Sequence, residues 1–152
     1  MGYEELLLEA EQNNLIVKEK DLPLSDGRIK GHRIAIRKNI PTIRKKACVL
    51  AEELGHYHTT VGNILDQSVT SNRKQEHIAR LWAYDKMIGL SGIIKVYQAR
   101  CQNRYEMADC LGVTEEFLQD AINCYHEKYG LCIDVDGYTI FFEPSLAVME
   151  KL

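Results

Sequence analysis

Residues 52–56 read Glu-Glu-Leu-Gly-His. On an α-helix, positions i and i+4 share a face one turn apart, so Glu52 and His56 point the same way and can grip one ion. Glu53 lies one step round the helix, beside such an ion without having to bind it. From there a general base takes a proton from water that the ion activates. Carboxylate oxygen is a legitimate zinc ligand, at a distance close to that of imidazole nitrogen. The spacing is that of the metalloprotease H-E-x-x-H helix, with a glutamate where the first histidine stands. A solvated amphipathic face also carries a Glu-Glu pair and a nearby histidine, so the five letters leave both readings open.

A catalytic zinc site takes a third protein ligand and keeps one position open. The candidate is Glu76, in QEHIARLWAYDKMI, just ahead of the apolar positions Ile78, Leu81 and Trp82. If two helices pack antiparallel through their apolar faces, a first-turn glutamate of the second approaches the end of the first. His58 and His77 are rivals by residue type. His58 is two residues past His56 and points elsewhere on a continuous helix, and His77 lies roughly a third of a turn from Glu76.

The elements that must position these groups follow from periodicity. Tyr3 to about Gln12 has helical character, with Leu6, Leu7 and Ala10 on one side and Asn13-Asn14 as its end. Pro23 and Ser25-Asp26-Gly27 mark a turn. Ile34 and Ile36 alternate with Arg33, Ala35 and Arg37, which predicts a small hairpin or sheet across roughly residues 28–38. Pro41 suits the first turn of a helix, and Ile43, Ala47, Leu50 and Leu54 give that helix an apolar face. Residues 61–74 are polar and read as a loop. Asn72 is a candidate cap for the next helix, expected from about Lys74 to Ile88 with Ile78, Leu81, Trp82 and Met87 as its core face and Gly89 as its stop. Helices are expected at about Gly92–Gln102 and Arg104–Leu111, then from the Thr114 cap to about Lys128, with Gly112 and Gly130 as stops. Asp136-Gly137, between β-rich runs, is a strong hairpin signal.

With 152 residues, 45% hydrophobic and 27% charged, the chain suits one soluble domain able to bury a core. The net charge of −3 gives no global sign of nucleic-acid or membrane binding. The opening MGYEELLLEAEQ is acidic and reads as neither a signal peptide nor a membrane span. Cys48, Cys101, Cys110, Cys124 and Cys132 are odd in number and contain no C-x-x-C. They read as buried thiols in a reducing cytoplasm.

Two stretches add to this reading. CVLAEELGHYHT is close to an L-A-H-E-x-G-H helix, Gly55 included, and EHIARLWA matches an E-x-x-A-x-x-F-A pattern with Trp82 in the aromatic slot. In their order and spacing, over residues 26–90, they resemble the ImmA/IrrE family of metallo-endopeptidases in a phage or mobile-element form, with E-E-x-x-H in place of H-E-x-x-H. The resemblance implies a zincin-like core in an α+β domain, a small sheet carrying the helix of residues 41–58. It implies Glu53 as the catalytic base and Glu52, His56 and Glu76 as ligands of Zn2+. The oxygen-rich donor set also suits Mn2+ or Fe2+. The implied partner is a helix-turn-helix repressor cleaved as substrate. A non-catalytic relative that acts by binding its repressor is the alternative, followed by a helix-turn-helix DNA-binding regulator.

The expected organisation is a single domain, 1–152: a metallopeptidase-like core over 1–90, a helical segment over 91–130, and a C-terminal hairpin and tail over 131–152. RYEMADCLGVTEEFLQDAI is helix-turn-helix-like. Its second helix opens with Glu115 and Glu116 and continues to Asp120, charges that repel DNA, so no direct nucleic-acid contact is expected. From Gly27 to Ala51 there are eight Lys or Arg and no Asp or Glu. That stretch is a solvated face, or a basic rim that steers an acidic partner segment, and an exposed strand edge there could hold an extended peptide.

Overall fold

The computed structural model describes residues 1–60 and 69–152. The chain is α+β and divides into two compact units, Met1–Lys86 and Met87–Leu152.

In the first unit, helix α1 (Tyr3–Gln12) leads into β1 (Ile16–Lys20), β2 (Gly27–Lys30) and β3 (Arg33–Arg37), followed by α2 (Ile43–Thr59) and α3 (Val69–Met87, its last residue crossing into the second unit). The sheet order is β1-β3-β2, with β1 parallel and β2 antiparallel to the central β3. Side chains alternate between faces. Ile34 and Ile36 are buried on the inner face, which joins Leu6, Ala10, Leu50 and Leu54 in the core. Thr42 caps α2, its Oγ1 accepting from the Lys45 N–H at 3.1 Å. Lys86 pairs with Glu9 at 3.0 Å and Lys46 pairs with Glu19, tying α3 to α1 and α2 to β1.

In the second unit, α4 (Gly89–Gln98), α5 (Arg104–Leu111) and α6 (Glu115–Tyr129) precede an antiparallel meander of β4 (Cys132–Val135), β5 (Tyr138–Phe141) and β6 (Ala147–Glu150). Gly112 ends α5 in the left-handed region, and Thr114 caps α6, accepting from the Phe117 N–H at 3.1 Å. Asp136 and Gly137 both take positive φ, 50° and 81°, as the tight hairpin turn requires. Leu118, Tyr125 and Ile140 form the core of this unit.

Several expectations are corrected. Pro41 precedes the Thr42 cap instead of opening the helix, and Ile43 is 69% exposed, so the buried stripe of α2 starts at Ala47. The loop expected over 61–74 lies outside the described residues at 61–68, and from Val69 the chain is helical. Asn72 therefore sits inside α3 and does not cap it. The buried side of α3 is Ala79, Ala83, Tyr84 and Met87; Ile78 is 49% exposed, and Leu81 and Trp82 are half-buried. Gly27 belongs to a strand and not to the turn before it, while β1 and β6 are additional strands. Gly89 opens α4 as well as stopping α3. Of the cysteines, Cys48 and Cys124 are buried and Cys132 is exposed on an outward position of β4.

The small face of α3 has a geometric cause. A Cβ built on Gly55 of α2 would lie 2.3 Å from the Ala79 carbonyl oxygen, so the two helices meet backbone to backbone. Replacing a helix-interior glycine by alanine ordinarily gains roughly 1 kcal/mol. Here Gly55→Ala is expected to lower stability by about 1–3 kcal/mol, because the rigid neighbour forces the helices apart. Thermal melts of the variant and parent check this; an unchanged or raised midpoint would show that α3 is not held against Gly55.

Candidate functional site

The close approach of α2 and α3 sets the geometry of the polar cluster above it. His56 follows Gly55, and Glu76 precedes Ala79 by about one turn on the partner helix. His56 Nε2 lies 3.0 Å from Glu76 Oε2. The other Glu76 oxygen, Oε1, lies 3.3 Å from Arg80 Nε, one turn along α3. Glu52, one turn before His56, is half-buried, as are Glu53 and His56. The structure therefore brings His56 and Glu76 into contact and keeps Glu52 and Glu53 beside them.

Glu53 is the most perturbed of these groups. Burial, reinforced by the nearby Glu52 and Glu76 charges, raises its carboxyl from an ordinary 4.5 to about 7. Desolvation disfavours the carboxylate and like charges add to that cost. Its side chain lies against the start of β2: a Cβ on Gly27 would fall 2.9 Å from Glu53 Oε1 and 2.7 Å from Val49 Cγ1. Gly27 thus belongs to the site, because only a glycine leaves room for Glu53 there. Ser25-Asp26-Gly27 carries the signal of a turn, which hides this packing role.

The rival histidines sit differently. His58 is exposed and stacks on Trp82, ring centroids 4.8 Å apart and 22° between planes. His77 is exposed on α3. Among the described residues no group of three or more His, Cys, Asp or Glu is gathered closely enough to form a metal cage as it stands. The convergent pair is His56 and Glu76. Its 3.0 Å separation is close to the edge of a tetrahedral zinc site, about 3.3 Å for ligands near 2.0–2.1 Å from the ion. Imidazole and carboxylate are donor types that a divalent cation takes, and Glu52 stands one turn before His56 on the same helix.

In the second unit, the helix-turn-helix-like pair α5–α6 exposes Glu115, Glu116 and Asp120 at the start of α6. Arg104 Nε donates to Gln119 Oε1 at 3.0 Å, which occupies a cation that could otherwise meet phosphate. No described helix is long and apolar enough to cross a membrane.

No family model, curated protein or solved structure matches this chain.

The raised Glu53 carboxyl has a consequence for stability. Between about pH 4.5 and 7 the folded chain holds a proton that the unfolded chain has lost, so stability falls as pH rises through that window. The penalty is fully present above it. Glu53→Gln removes the ionisation. In chelator, the variant is expected to gain on the order of 1–3 kcal/mol over the parent at pH 8, allowing for partial exposure of the side chain. The gain should vanish below about pH 4.5. Denaturant melts across this range check it; a difference independent of pH would remove the buried charge as its cause.

Proposed function

We propose that the protein is a metal-dependent endopeptidase with a zincin-like core, in which Glu52, His56 and Glu76 hold a divalent cation, zinc in the first instance with manganese or iron as alternatives, and Glu53 is the acid–base. The observation that carries this reading is the convergence of His56 on Glu76, beside a carboxyl whose proton affinity is tuned to neutrality. The resemblance of residues 26–90 to the ImmA/IrrE family supports it and supplies the substrate class, a helix-turn-helix repressor of a phage or mobile element. When bound, the ion supplies Lewis acidity toward a scissile carbonyl.

The remaining work falls to the chain. Glu53, held by Gly27 and Val49 on one side and by burial, has a carboxyl near neutrality, which suits both taking and returning a proton. It accepts the proton of the attacking water and delivers it to the leaving amine. Glu52 and Glu76 add to burial in raising the Glu53 carboxyl; as ligands their charges would be offset by the ion, which would favour the basic form of Glu53. Arg80 holds one Glu76 oxygen and leaves the other directed at His56, which orients a ligand carboxylate as outer partners do in metal sites.

Metal analysis of the purified chain is the first test, followed by cleavage of a co-expressed helix-turn-helix repressor. Glu53→Gln is expected to keep the metal and abolish cleavage; full cleavage would dismiss Glu53 as the base. Glu52→Ala should lose the metal or hold it far more weakly. Glu52→His should retain it and move the pH profile of cleavage downward, because less negative charge at the ion makes its water more acidic. If Glu52→Ala binds metal as the parent does, Glu52 is not a ligand. A parent that takes up no divalent metal under any condition would replace catalysis by repressor binding alone.

A further inference from the structure

The sheet face turned away from α2 carries a built feature that the peptidase reading does not use. Alternation sends Ile16, Lys18 and Lys20 of β1, Arg28 and Lys30 of β2, and Arg33, Ala35 and Arg37 of β3 to this side. Register aligns them in rows across the three strands. One row reads Ile16–Arg33–Lys30, the next Lys18–Ala35–Arg28, and the third begins Lys20–Arg37. Ala35 is the small residue on the central strand, and the long cations flank it on both edges. The result is a groove of about 380 Å³, to which Ile16 and Leu22 add apolar surface.

Arg37 is satisfied by Asp26 at 3.0 Å. Among the described residues no carboxylate ion-pairs with Lys18, Lys20, Arg28, Lys30 or Arg33. Lys30 and Arg33 stand directly opposite each other, and like charges in that relation cost stability.

We infer that this groove docks an extended acidic segment of a partner protein, one with a carboxylate at every second residue. Cations recur at every second residue along β1 and along β2, about 6.6 Å apart. An extended peptide repeats its same-side groups at that spacing. Lying along Ala35 with its carboxylates turned to the sheet, it meets lysine and arginine on both flanks, and the methylene stems of those cations pack against its backbone beside Ile16 and Leu22. Single-stranded nucleic acid fits less well. Its general binders stack bases on aromatic rings, and among the described residues no aromatic side chain lines the groove. A long polyanion would also meet the overall negative charge of the chain, −3.

The test uses the full-length chain and a short fluorescent peptide of alternating Glu and Leu, read by anisotropy at low and physiological salt. Saturable, salt-sensitive binding is expected, with a matched Gln/Leu peptide failing to bind. Lys18→Glu combined with Lys30→Glu should weaken binding at least roughly tenfold. Lys18→Gln with Lys30→Gln should weaken it in the same direction, and serves if the reversal disturbs folding by circular dichroism. Ala35→Leu fills the floor without altering charge and should weaken binding as well. Equal binding by the Ala35→Leu variant would mean diffuse charge attraction and overturn the groove. So would equal binding of the Gln/Leu peptide, no binding of the Glu/Leu peptide, or a single-stranded oligonucleotide that competes and binds more tightly. None of these readings depends on turnover, so they stand apart from the outcome for the peptidase.

Discussion

At Gly55 helix α2 has no side chain to hold α3 away, and the Ala79 carbonyl occupies the space a methyl group would need. Helices that meet through ordinary side chains keep their axes about 8–10 Å apart. A glycine opposite an alanine allows less. The shorter separation lets two medium-length side chains, an imidazole and a carboxylate, touch across the gap. His56 and Glu76 are the first polar groups beyond the contact, and their 3.0 Å approach follows from it. The same contact explains the face α3 buries. Ala79 and Ala83 lie inside because only small residues fit there, while the larger Ile78 and Trp82 turn outward or to the rim.

Crowding acidic groups onto this junction has an energetic cost that the fold does not remove. Glu52, Glu53 and Glu76 share a small volume with one imidazole and one guanidinium, and Arg80 and His56 both engage the same carboxylate. Glu53 is left to respond by holding its proton. A fold selected for stability alone would place an apolar residue under Gly27. Retaining a carboxyl there, against backbone, is the kind of local disadvantage that accompanies proton-transfer sites. Structural ion-pair networks perturb carboxyls too; among the described residues the ion pairs of this cluster are made by Glu76, while the raised carboxyl is that of Glu53.

The local elements with strong punctuation were legible in the sequence. Tyr3–Gln12 ends at its asparagines, Thr114 caps α6, and Asp136-Gly137 turns β4 into β5, each decided by residues within a few positions. The misses share one cause, dependence on distant partners. β1 reads IVKEK, whose inner positions are a valine and a glutamate, so alternation is weak; its place is fixed by parallel pairing with β3. β6 is a short, largely exposed edge strand, and the apolar run over residues 146–149 does not alternate with polar residues. The first turns of α3, rich in Thr, Ser, Asn, Arg and Lys, carry no apolar stripe, so its start was expected at Lys74 and not at Val69. At the site, residue types and i,i+4 spacing pointed to Glu52, Glu53 and His56. The part played by Gly27 could not be read, because close approach of a strand leaves no mark in a single letter.

The register of β2 links the two polar regions of the first unit. Gly27 faces inward beneath Glu53, so alternation sends Arg28 outward, returns Ile29 to the inner side and sends Lys30 outward again. A slip of one residue would drive Arg28 into the space held by Val49 and Glu53, where its guanidinium would pair with the Glu53 carboxylate. It would also place Ile29 on the solvent face and break the basic rows. Burial of Ile34 and Ile36 on β3 holds the central strand, and pairing of β2 to it then fixes both outcomes together. The outer cations are consequently presented by strands whose positions are already determined by the core. Little backbone freedom is left to lose when a partner docks on them, the condition under which modest charge contacts yield measurable affinity.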